Sequence, residues 1–515
     1  MTISPAAHLR HVLTAPEPPA PLPLRAVQLQ VLGDVQTPLS IYLHLSGGPW
    51  SYLLESVQGG ETWGRYSIIG LPAGEVISMQ GEIIALQAAD NPLLEVRMNP
   101  LEALSRLHHA FVVMESETLP RFAGGLVGYL GYDLVRAIEP VLGPCRKPDP
   151  LGAPDAVLLV SREFIVFDAL KGQMTMMALI PDGDAAAAAA ARQHLQALAM
   201  ELQMPMAFPI LPPRDQDLDM LAQQATFSMS KEAHAQGVLR IKQAIRSGDV
   251  MQVVLSQRIS LPFSASPVAL YRALRCLSPA PYMVHLQLGG LAVVGASPEI
   301  LVRLEQGELT GRPIAGTRPR GQSAAEDRSL GEELLADEKE IAEHIMLIDL
   351  SRNDLGRVAV PGTVRVTEQL VIERYAHVMH LVSNVQGTLL PGLDAIDVFK
   401  ATFPAGTVSG APKVEAMRMI DSLEPVKRGI YAGAVGYIGF NGNMDLAIAI
   451  RTGIVQGDMV HIQAGGGIVA DSQPDSEWQE TMNKRRAFFR AIAMAQGEGQ
   501  GLSTSLRARV RDWGA

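Results

Sequence analysis

Two short segments carry pairs of glutamates at a spacing that could hold a metal ion. Glu340 and Glu343 lie three residues apart, and Glu477 and Glu480 repeat that spacing near the end of the chain. Both segments read as helices, where residues three or four apart share a face. Four carboxylates that met at one place would bind a hard divalent cation, because such ions prefer oxygen ligands. The alternative is two unrelated solvated helix faces, the commoner origin of a single pair of this kind.

Three other segments place possible ligand-contacting groups between predicted elements. Arg312–Gly321 is dense in Gly, Pro and Arg, which predicts an ordered loop beside a site or a plain surface connection. Phe403–Lys413 predicts a loop that opens onto a helix, where the first N–H groups either bind an anion or are capped. Arg451 ends a predicted strand and could grip a carboxylate with two hydrogen bonds. Gly465–Gly467 would let a ligand approach the backbone, or would form a tight bulge.

Two titratable side chains have both a functional and a structural interpretation. His380 lies in an otherwise apolar run, where a lone histidine is more often a hydrogen-bonded core residue than a catalytic one. Lys484 lies four residues after an acid, so an exposed ion pair explains its position without any chemistry.

Two predicted helices must position the four acids. The first has a core stripe of Ile341, Ile345 and Ile348 with the acids beside it, and the polar turn Ser351–Arg357 ends it. The second begins at a capping box that starts with Ser476. The acids are either exposed on these helices or face a shared cleft.

The rest of the chain predicts hairpins and isolated helices. Alternating apolar residues indicate hairpins around Gln80-Gly81, Lys171-Gly172 and Gly289-Gly290. Because there is no regular βαβ alternation, we predict an α+β fold with large antiparallel sheets and helices packed outside. We divide the chain into an irregular Pro-rich tail (1–25), an N-terminal part of the fold (26–203), a connecting loop (204–228), a chemistry-bearing part (229–500) and a C-terminal tail (501–515).

Composition and charge narrow the function classes. The chain has 515 residues, of which 47% are hydrophobic and 19% charged, the profile of an ordinary globular protein. A net charge of −10 disfavours nucleic acid as a partner. Cys145 and Cys276 are too few for a disulfide framework and suit a reducing cytoplasm. No signal peptide or apolar run of about 18 residues is recognisable, so we expect neither secretion nor membrane spanning.

Several segments together, in their order along the chain, resemble the chorismate-utilising enzymes. They are Gln252–Arg258, Pro313–Pro319, Glu343-His344, Asp349–Gly356, Phe403–Lys413, Ile448–Thr452 and Ala464–Ser472. The resemblance is dense over the second half of the chain and sparser in the first, where Leu53–Ser56 and Glu61–Gly70 carry it. It implies one large α+β domain of the chorismate-utilising fold, with a cleft between its sheets.

The resemblance also implies roles for individual residues. It implies Mg²⁺ held by Glu340, Glu343, Glu477 and Glu480 against the ring carboxylate of chorismate. It places Tyr431 and Arg451 at the pyruvyl carboxylate, Gly465, Gly466, Gly467, Ala315, Gly316 and Thr317 along the substrate, and Thr407, His380 and Lys484 near the reacting ring. Glu340 or Glu343 is then a candidate acid for the departing ring hydroxyl, and Lys484 or His380 a candidate proton relay.

Two positions favour the anthranilate-forming members of the family. Water-using relatives, such as isochorismate and salicylate synthases, carry a lysine base where this chain has Gln252, and an uncharged amide suits ammonia. Relatives that form aminodeoxychorismate carry a nucleophilic lysine where this chain has Ala315. No glutaminase cysteine motif is recognisable, so a glutamine amidotransferase subunit (component II) should deliver ammonia within a hetero-oligomer. The alternatives are an aminodeoxychorismate- or aminodeoxyisochorismate-forming enzyme, and a chorismate or tryptophan sensor without catalysis.

The same resemblance indicates feedback control by tryptophan. Six residues match the family's inhibitor site, away from the active site: Leu54, Glu55, Ser56, Pro281, Tyr282 and Met283. Tryptophan bound there could bias a two-state arrangement of the chain against catalysis. Ser278 departs from the asparagine often found in the family.

Overall fold

The computed structural model describes residues 4–57, 64–88, 91–114, 119–206, 218–375 and 378–497. The helices are α1 Pro5–Thr14, α2 Pro38–Leu45, α3 Pro100–His108, α4 Val135–Ile138, α5 Ala185–Glu201, α6 Leu218–Gln223, α7 Lys231–Ser247, α8 Pro267–Leu277, α9 Ala324–Ala336, α10 Glu338–Gly356, α11 Ala395–Thr402, α12 Gly406–Ser409, α13 Lys413–Leu423 and α14 Pro474–Ala495. Within these ranges, none of the helices combines the length and the apolar character that crossing a membrane requires.

The first half of the chain contributes strands β1 to β11. They are β1 Leu22–Leu32, β2 Ser51–Glu55, β3 Tyr66–Gly70, β4 Glu75–Gln80, β5 Ile83–Ala88, β6 Asn91–Arg97, β7 Phe111–Val113, β8 Gly125–Leu130, β9 Ala156–Ser161, β10 Glu163–Asp168 and β11 Gln173–Pro181.

The second half contributes strands β12 to β25. They are β12 Thr226–Phe227, β13 Gln252–Pro262, β14 Tyr282–Leu288, β15 Leu291–Ser297, β16 Ile300–Glu305, β17 Glu308–Gly311, β18 Ile314–Pro319, β19 Arg365–Arg374, β20 Val378–Thr388, β21 Gly410–Ala411, β22 Ala434–Gly439, β23 Met444–Ile448, β24 Thr452–Gln456 and β25 Met459–Ile468.

Two large sheets contain all of these strands. The first has the order β12-β13-β25-β24-β15-β14-β2-β3-β10-β11-β1-β7, and the second β18-β20-β17-β16-β23-β22-β8-β9-β4-β5-β6, with β21 on β13 and β19 on β20. Apart from the parallel β1–β7 pair, the described pairs are antiparallel. The predicted α+β class is therefore confirmed.

The two halves of the chain share both sheets. In the first sheet β14 pairs with β2, where Met283 lies opposite Glu55, and in the second β22 pairs with β8. One buried cluster combines side chains from both sheets and both halves. A second cluster packs α2, α5, α8 and α14 on the outer face of the first sheet. Residues far apart in sequence can therefore line one cavity.

Local signals explain many of the element boundaries. The Ser230 hydroxyl accepts from the Ala233 N–H over 3.1 Å at the start of α7, and Gly248 ends that helix at φ +81°. The predicted hairpins around Gln80-Gly81, Lys171-Gly172 and Gly289-Gly290 are all present as β4–β5, β10–β11 and β14–β15.

The structure corrects two predictions of irregular backbone, the first in part and the second in full. In the described part of the segment 1–25, residues 15–21 are irregular as predicted, but α1 occupies Pro5–Thr14 and buries Leu9, Val12 and Leu13, and β1 starts at Leu22. Arg312–Gly321 is not a loop, since Ile314–Pro319 forms β18 and pairs with β20 through a bulge at Gly316. Pro5 starts α1 and Pro319 ends β18, where the missing N–H costs little.

The boundaries and faces of the site helices also differ from those predicted. Ile345 is 44% exposed and the buried residues of α10 include His344, Leu347 and Ile348, so the core stripe is rotated by about one residue. The helix continues to Gly356, and no polar turn begins at residue 351. Helix α14 begins at Pro474 without a side-chain cap, so no capping box starts at Ser476.

Candidate active site

The first pair of acids lies on α10, beside the start of β13. Gln252 donates from Nε2 to Glu343 Oε1 over 3.3 Å. A Cβ placed on Gly467 would lie 2.3 Å from that same Gln252 nitrogen. On β25, Gly467 lies opposite Val254 of β13, so this glycine leaves the space that the Gln252 amide occupies.

Two more glycines lie against the acids themselves. A Cβ on Gly466 would lie 3.1 Å from Glu477 Oε2 and 3.5 Å from Glu480 Oε1. A Cβ on Gly316, at φ +62°, would lie 3.2 Å from Glu340 Oε2. The C-terminal end of β25 and the bulge of β18 thus border the two acid pairs. Side chains larger than glycine at these positions would displace the carboxylates.

The electrostatics of the four acids fit a cation. Burial, and then the charge of Glu343, raise the pKa of Glu340. Burial also raises the pKa of Glu477, and the Glu480 charge adds to that rise. In the described chain, Glu477 Oε2 is buried without a hydrogen-bond partner. A divalent ion would relieve both repulsions and satisfy that oxygen.

The four carboxylates do not form one tight cluster in this structure. Among the described residues, no three of them bring ligand atoms within 4.8 Å of one another. This arrangement is compatible with Mg²⁺, which usually keeps several waters and takes only one or two carboxylates directly. The oxygen-only donor set also matches that ion's preference.

Lys484 and Arg451 form the cationic side of the site. Lys484 Nζ lies 2.7 Å from Glu480 Oε1 and donates to the Gly465 carbonyl over 2.9 Å. Arg451 donates from Nη1 to the Lys484 carbonyl over 3.2 Å. It is not at a strand end as predicted, but lies between β23 and β24 at φ +49°. These contacts join β25, the strand that contains Gly465–Gly467, to α14.

Tyr431 belongs to the same region. Its ring is buried and lies 5.5 Å from the Arg428 guanidinium. Burial raises the pKa of Tyr431 to about 12, with Arg428, Arg451 and the Gly465 backbone opposing that rise. The hydroxyl therefore stays protonated and can donate a hydrogen bond.

His380 lies on β20 beside the bulge of β18. Its Nδ1 lies 3.0 Å from the Gly316 carbonyl and 3.1 Å from the Thr317 hydroxyl. Since a carbonyl only accepts, Nδ1 carries the proton and Nε2 is left as an acceptor. Burial lowers the pKa of His380, and the Arg451 charge adds to this. Ala315 lies opposite Leu381 in the same strand pair, next to this histidine.

Glu299 is a residue of this region that the sequence analysis missed. It lies in the turn between β15 and β16 and is only 8% exposed. Burial raises the pKa of Glu299 to about 8, while the Thr407 hydroxyl and the Lys484 charge oppose the rise. The Ile448 N–H donates to the Glu299 carbonyl over 3.0 Å, which holds the turn. The sequence signal that could have identified Glu299 is its position directly after the apolar strand 291–297.

A cavity lies between the two sheets, away from the acids. It contains about 770 Å³ of empty space, part of which is open to solvent. All six residues predicted for an inhibitor site line it: Leu54, Glu55, Ser56, Pro281, Tyr282 and Met283. Tyr282 donates to Asp445 Oδ1 over 3.0 Å, and Arg275 lies 3.0 Å from Glu55. The cavity therefore has buried polar groups in its wall, and it shares none of the acids described above.

The chain is similar to known proteins along most of its length. Residues 57–490 match the chorismate binding enzyme family. The chain is 53% identical over 472 residues to anthranilate synthase component 1 of Pseudomonas putida, covering 91% of this chain and 95% of that protein. It is 47% identical over 470 residues to the protein of the same name from Neisseria meningitidis, covering 91% and 94%.

Solved structures give the same result. Anthranilate synthase component I from Streptococcus pneumoniae superposes with a TM-score of 0.71 at 36% identity, covering 89% of this chain and 99% of that one. The menaquinone-specific isochorismate synthase of Escherichia coli, at 21% identity and a TM-score of 0.68, shares the fold over 94% of this chain and 97% of its own. This chain therefore belongs to the chorismate binding enzyme family and, within it, to the anthranilate synthase component 1 proteins.

Proposed function

We propose that this chain converts chorismate and ammonia into anthranilate and pyruvate, as component I of an anthranilate synthase. The observation that carries the proposal is the contact of the uncharged Gln252 amide with Glu343, at one edge of the site with two acid pairs. A lysine there would supply a general base for water, whereas ammonia is itself a sufficient nucleophile. The names and the 47–53% identity of the relatives support the same activity.

The acid pairs are the proposed Mg²⁺ site. Glu340 and Glu343 on α10, with Glu477 and Glu480 on α14, would hold the ion directly or through water. Bound there, Mg²⁺ would supply positive charge for the ring carboxylate of chorismate. Lys484 already neutralises Glu480, which keeps the net charge of the site low enough to admit an anion.

Arg451 and Tyr431 are the proposed ligands of the pyruvyl carboxylate. The guanidinium is always charged and its planar fork suits a carboxylate, and the protonated phenol adds one donor. Arg451 is fixed by its bond to the Lys484 carbonyl. Together with the Gly465–Gly467 backbone, these groups would orient the chorismate ring across β25.

Glu299 is the proton donor that we favour over Glu340 and Glu343. A pKa of about 8 keeps its carboxyl protonated at neutral pH, as a general acid requires. Glu340 and Glu343 are then free to serve the metal. His380, neutral with an accepting Nε2, and Lys484 remain available to move protons.

Ammonia is proposed to come from a separate glutamine amidotransferase subunit. Glutaminases need an activated cysteine, but burial raises the pKa of the Cys145 thiol, the opposite of activation. Two free cysteines also suit the reducing cytoplasm. The chain would then work as a hetero-oligomer.

The test is a comparison of nitrogen sources at fixed chorismate and Mg²⁺. We expect anthranilate from the purified chain with ammonium, none with glutamine alone, and restored synthesis when a component II subunit is added to glutamine. Synthesis from glutamine alone would contradict the separate subunit, and no anthranilate with ammonium would contradict the activity.

Gly466→Ala should weaken substrate use without unfolding the chain. Its Cβ would lie 3.1 Å from Glu477 Oε2, so the carboxylate must move by a few tenths of an ångström. Small displacements of catalytic groups cost up to about 100-fold, and we expect kcat/KM for chorismate to fall by about 10- to 100-fold at an unchanged Tm. Gly290→Ala, where a Cβ meets nothing within 4 Å, is the control and should keep full activity.

The cavity between the sheets is the proposed tryptophan site. We expect Ser56→Ala to raise the tryptophan concentration for half-inhibition by about tenfold, the typical loss of one hydrogen bond to a charged ligand group. The uninhibited rate should change little, since Ser56 lines this cavity, which contains none of the four proposed metal ligands. Ser51→Ala, on β2 just before Ser56 but not among the residues that line the cavity, should leave inhibition unchanged. Equal losses of rate and inhibition in Ser56→Ala would indicate a structural role instead.

A further inference from the structure

A cluster of two histidines and an aspartate lies outside both the candidate active site and the cavity between the sheets. His108 ends α3, His109 caps that helix, and Asp394 caps the start of α11. One ring nitrogen of each histidine and one carboxylate oxygen of Asp394 all lie within 4.8 Å of one another. This cluster joins an element of the first half of the chain to one of the second.

The hydrogen bonds around the cluster leave lone pairs facing one another. His109 Nδ1 lies 2.9 Å from the Ser105 carbonyl, so Nδ1 carries the proton and Nε2 is an acceptor in the neutral ring. Asp394 Oδ1 already accepts from the Ile396 and Asp397 N–H groups. Its Oδ2 lies 3.3 Å from His109 Nε2. Two acceptors at this distance repel unless a cation lies between them or the ring is protonated.

His108 provides the independent sign of a missing ligand. It is 7% exposed, and its Nδ1 is buried without a hydrogen-bond partner in the described chain. A buried, unpartnered ring nitrogen carries a desolvation cost that a metal ion would remove.

We propose that His108, His109 and Asp394 bind one Zn²⁺, or a similar late first-row divalent ion, between α3 and α11. Two imidazoles and a carboxylate are typical zinc ligands, and a water would complete the tetrahedron. Bonds of about 2.0–2.2 Å place tetrahedral ligands roughly 3.3–3.6 Å apart, which matches the His109–Asp394 separation. The bond from His109 Nδ1 to a carbonyl is the arrangement that orients metal-bound histidines. Mg²⁺ is excluded because it prefers oxygen ligands.

The bound ion would connect the N-terminal part of the fold to the catalytic segment. Helix α11 ends at Thr402 and leads within five residues to Thr407 beside Glu299. The bound ion would therefore hold α3 and α11 together, and metal binding at this site can be measured separately from turnover.

The test is Zn²⁺ uptake by the full chain during dialysis, with excess Mg²⁺ present to occupy the carboxylate site. We compare the unaltered chain with Asp394→Asn and His109→Gln, since asparagine preserves the helix cap. We expect the unaltered chain to retain one Zn²⁺ more than either variant, with a Kd rise of about 10- to 100-fold or more in the variants. Co²⁺ in place of Zn²⁺ should give the visible absorption of a tetrahedral site only in the unaltered chain.

The matched control is His194→Gln. His194 Nε2 lies 3.3 Å from Glu163 Oε2, the same separation, but this pair belongs to no three-ligand group among the described residues. Its Zn²⁺ uptake should equal that of the unaltered chain. Equal uptake by the unaltered chain, Asp394→Asn and His109→Gln would overturn the proposal and identify the His109–Asp394 contact as an ordinary ion pair.

Discussion

Glu343→Gln and Glu480→Gln should each abolish Mg²⁺-dependent turnover. Each change removes one negative charge from a different helix of the proposed metal site while keeping the side chain's shape. Loss of one preorganised electrostatic contribution typically costs about 10²- to 10³-fold in kcat, and we expect at least that. The measurement is the rate of anthranilate formation from chorismate and ammonium over a Mg²⁺ titration.

The fold of these variants should remain intact. In the absence of metal, Glu343 raises the pKa of Glu340 by repulsion, so removal of its charge should leave Tm unchanged or slightly higher. Glu338→Gln changes an exposed acid on the same helix and should keep full activity. Unaltered rates in both Glu343→Gln and Glu480→Gln would remove the basis for the metal site.

Glu299→Gln is the second change with a large expected effect. A glutamine keeps the size and the hydrogen-bonding capacity toward Thr407 but has no acidic proton. General acid catalysis contributes about 10²- to 10⁴-fold, so kcat should fall by that range with little change in the chorismate KM. The measurement is steady-state kinetics with ammonium, and Glu308→Gln, an exposed acid on β17, is the control.

The same residue predicts a pH dependence of known sign. Because the pKa of Glu299 is raised to about 8, the active protonated form predominates below pH 8 and is lost as the pH rises through that value. The rate at saturating ammonia should therefore decline above about pH 8, and this decline should be absent in Glu299→Gln. A variant with the full rate, or with the same alkaline decline, would assign the proton donor elsewhere.

The parts of the candidate site that form short local motifs were predictable from the sequence. The two acid pairs, the glycines of β25 and the Gln252 position all appear as short motifs, and the structure brings them to one region. Periodicity also indicated α10, because its apolar residues recur at helical spacing. The predicted buried face of α10 was wrong by about one residue, because packing against β18 and β20 buries His344 and leaves Ile345 exposed.

The remaining features depend on contacts between distant residues. Glu299 has a raised pKa because the fold buries its carboxyl, and no local pattern reports that burial. The segment 314–319 is a strand because β20 provides a partner more than sixty residues away, which overrides its glycines and prolines. The shared sheets, in which Met283 pairs with Glu55, likewise could not be derived from spacing.

Product stoichiometry distinguishes anthranilate synthesis from the alternative activities of this chain. The purified chain is incubated with chorismate, Mg²⁺ and ammonium, and anthranilate fluorescence and pyruvate are followed together. Anthranilate synthesis predicts that both products appear at equal rates, one of each per chorismate consumed. An amino product that keeps its enolpyruvyl side chain, with no pyruvate released, or chorismate binding without turnover, would contradict it.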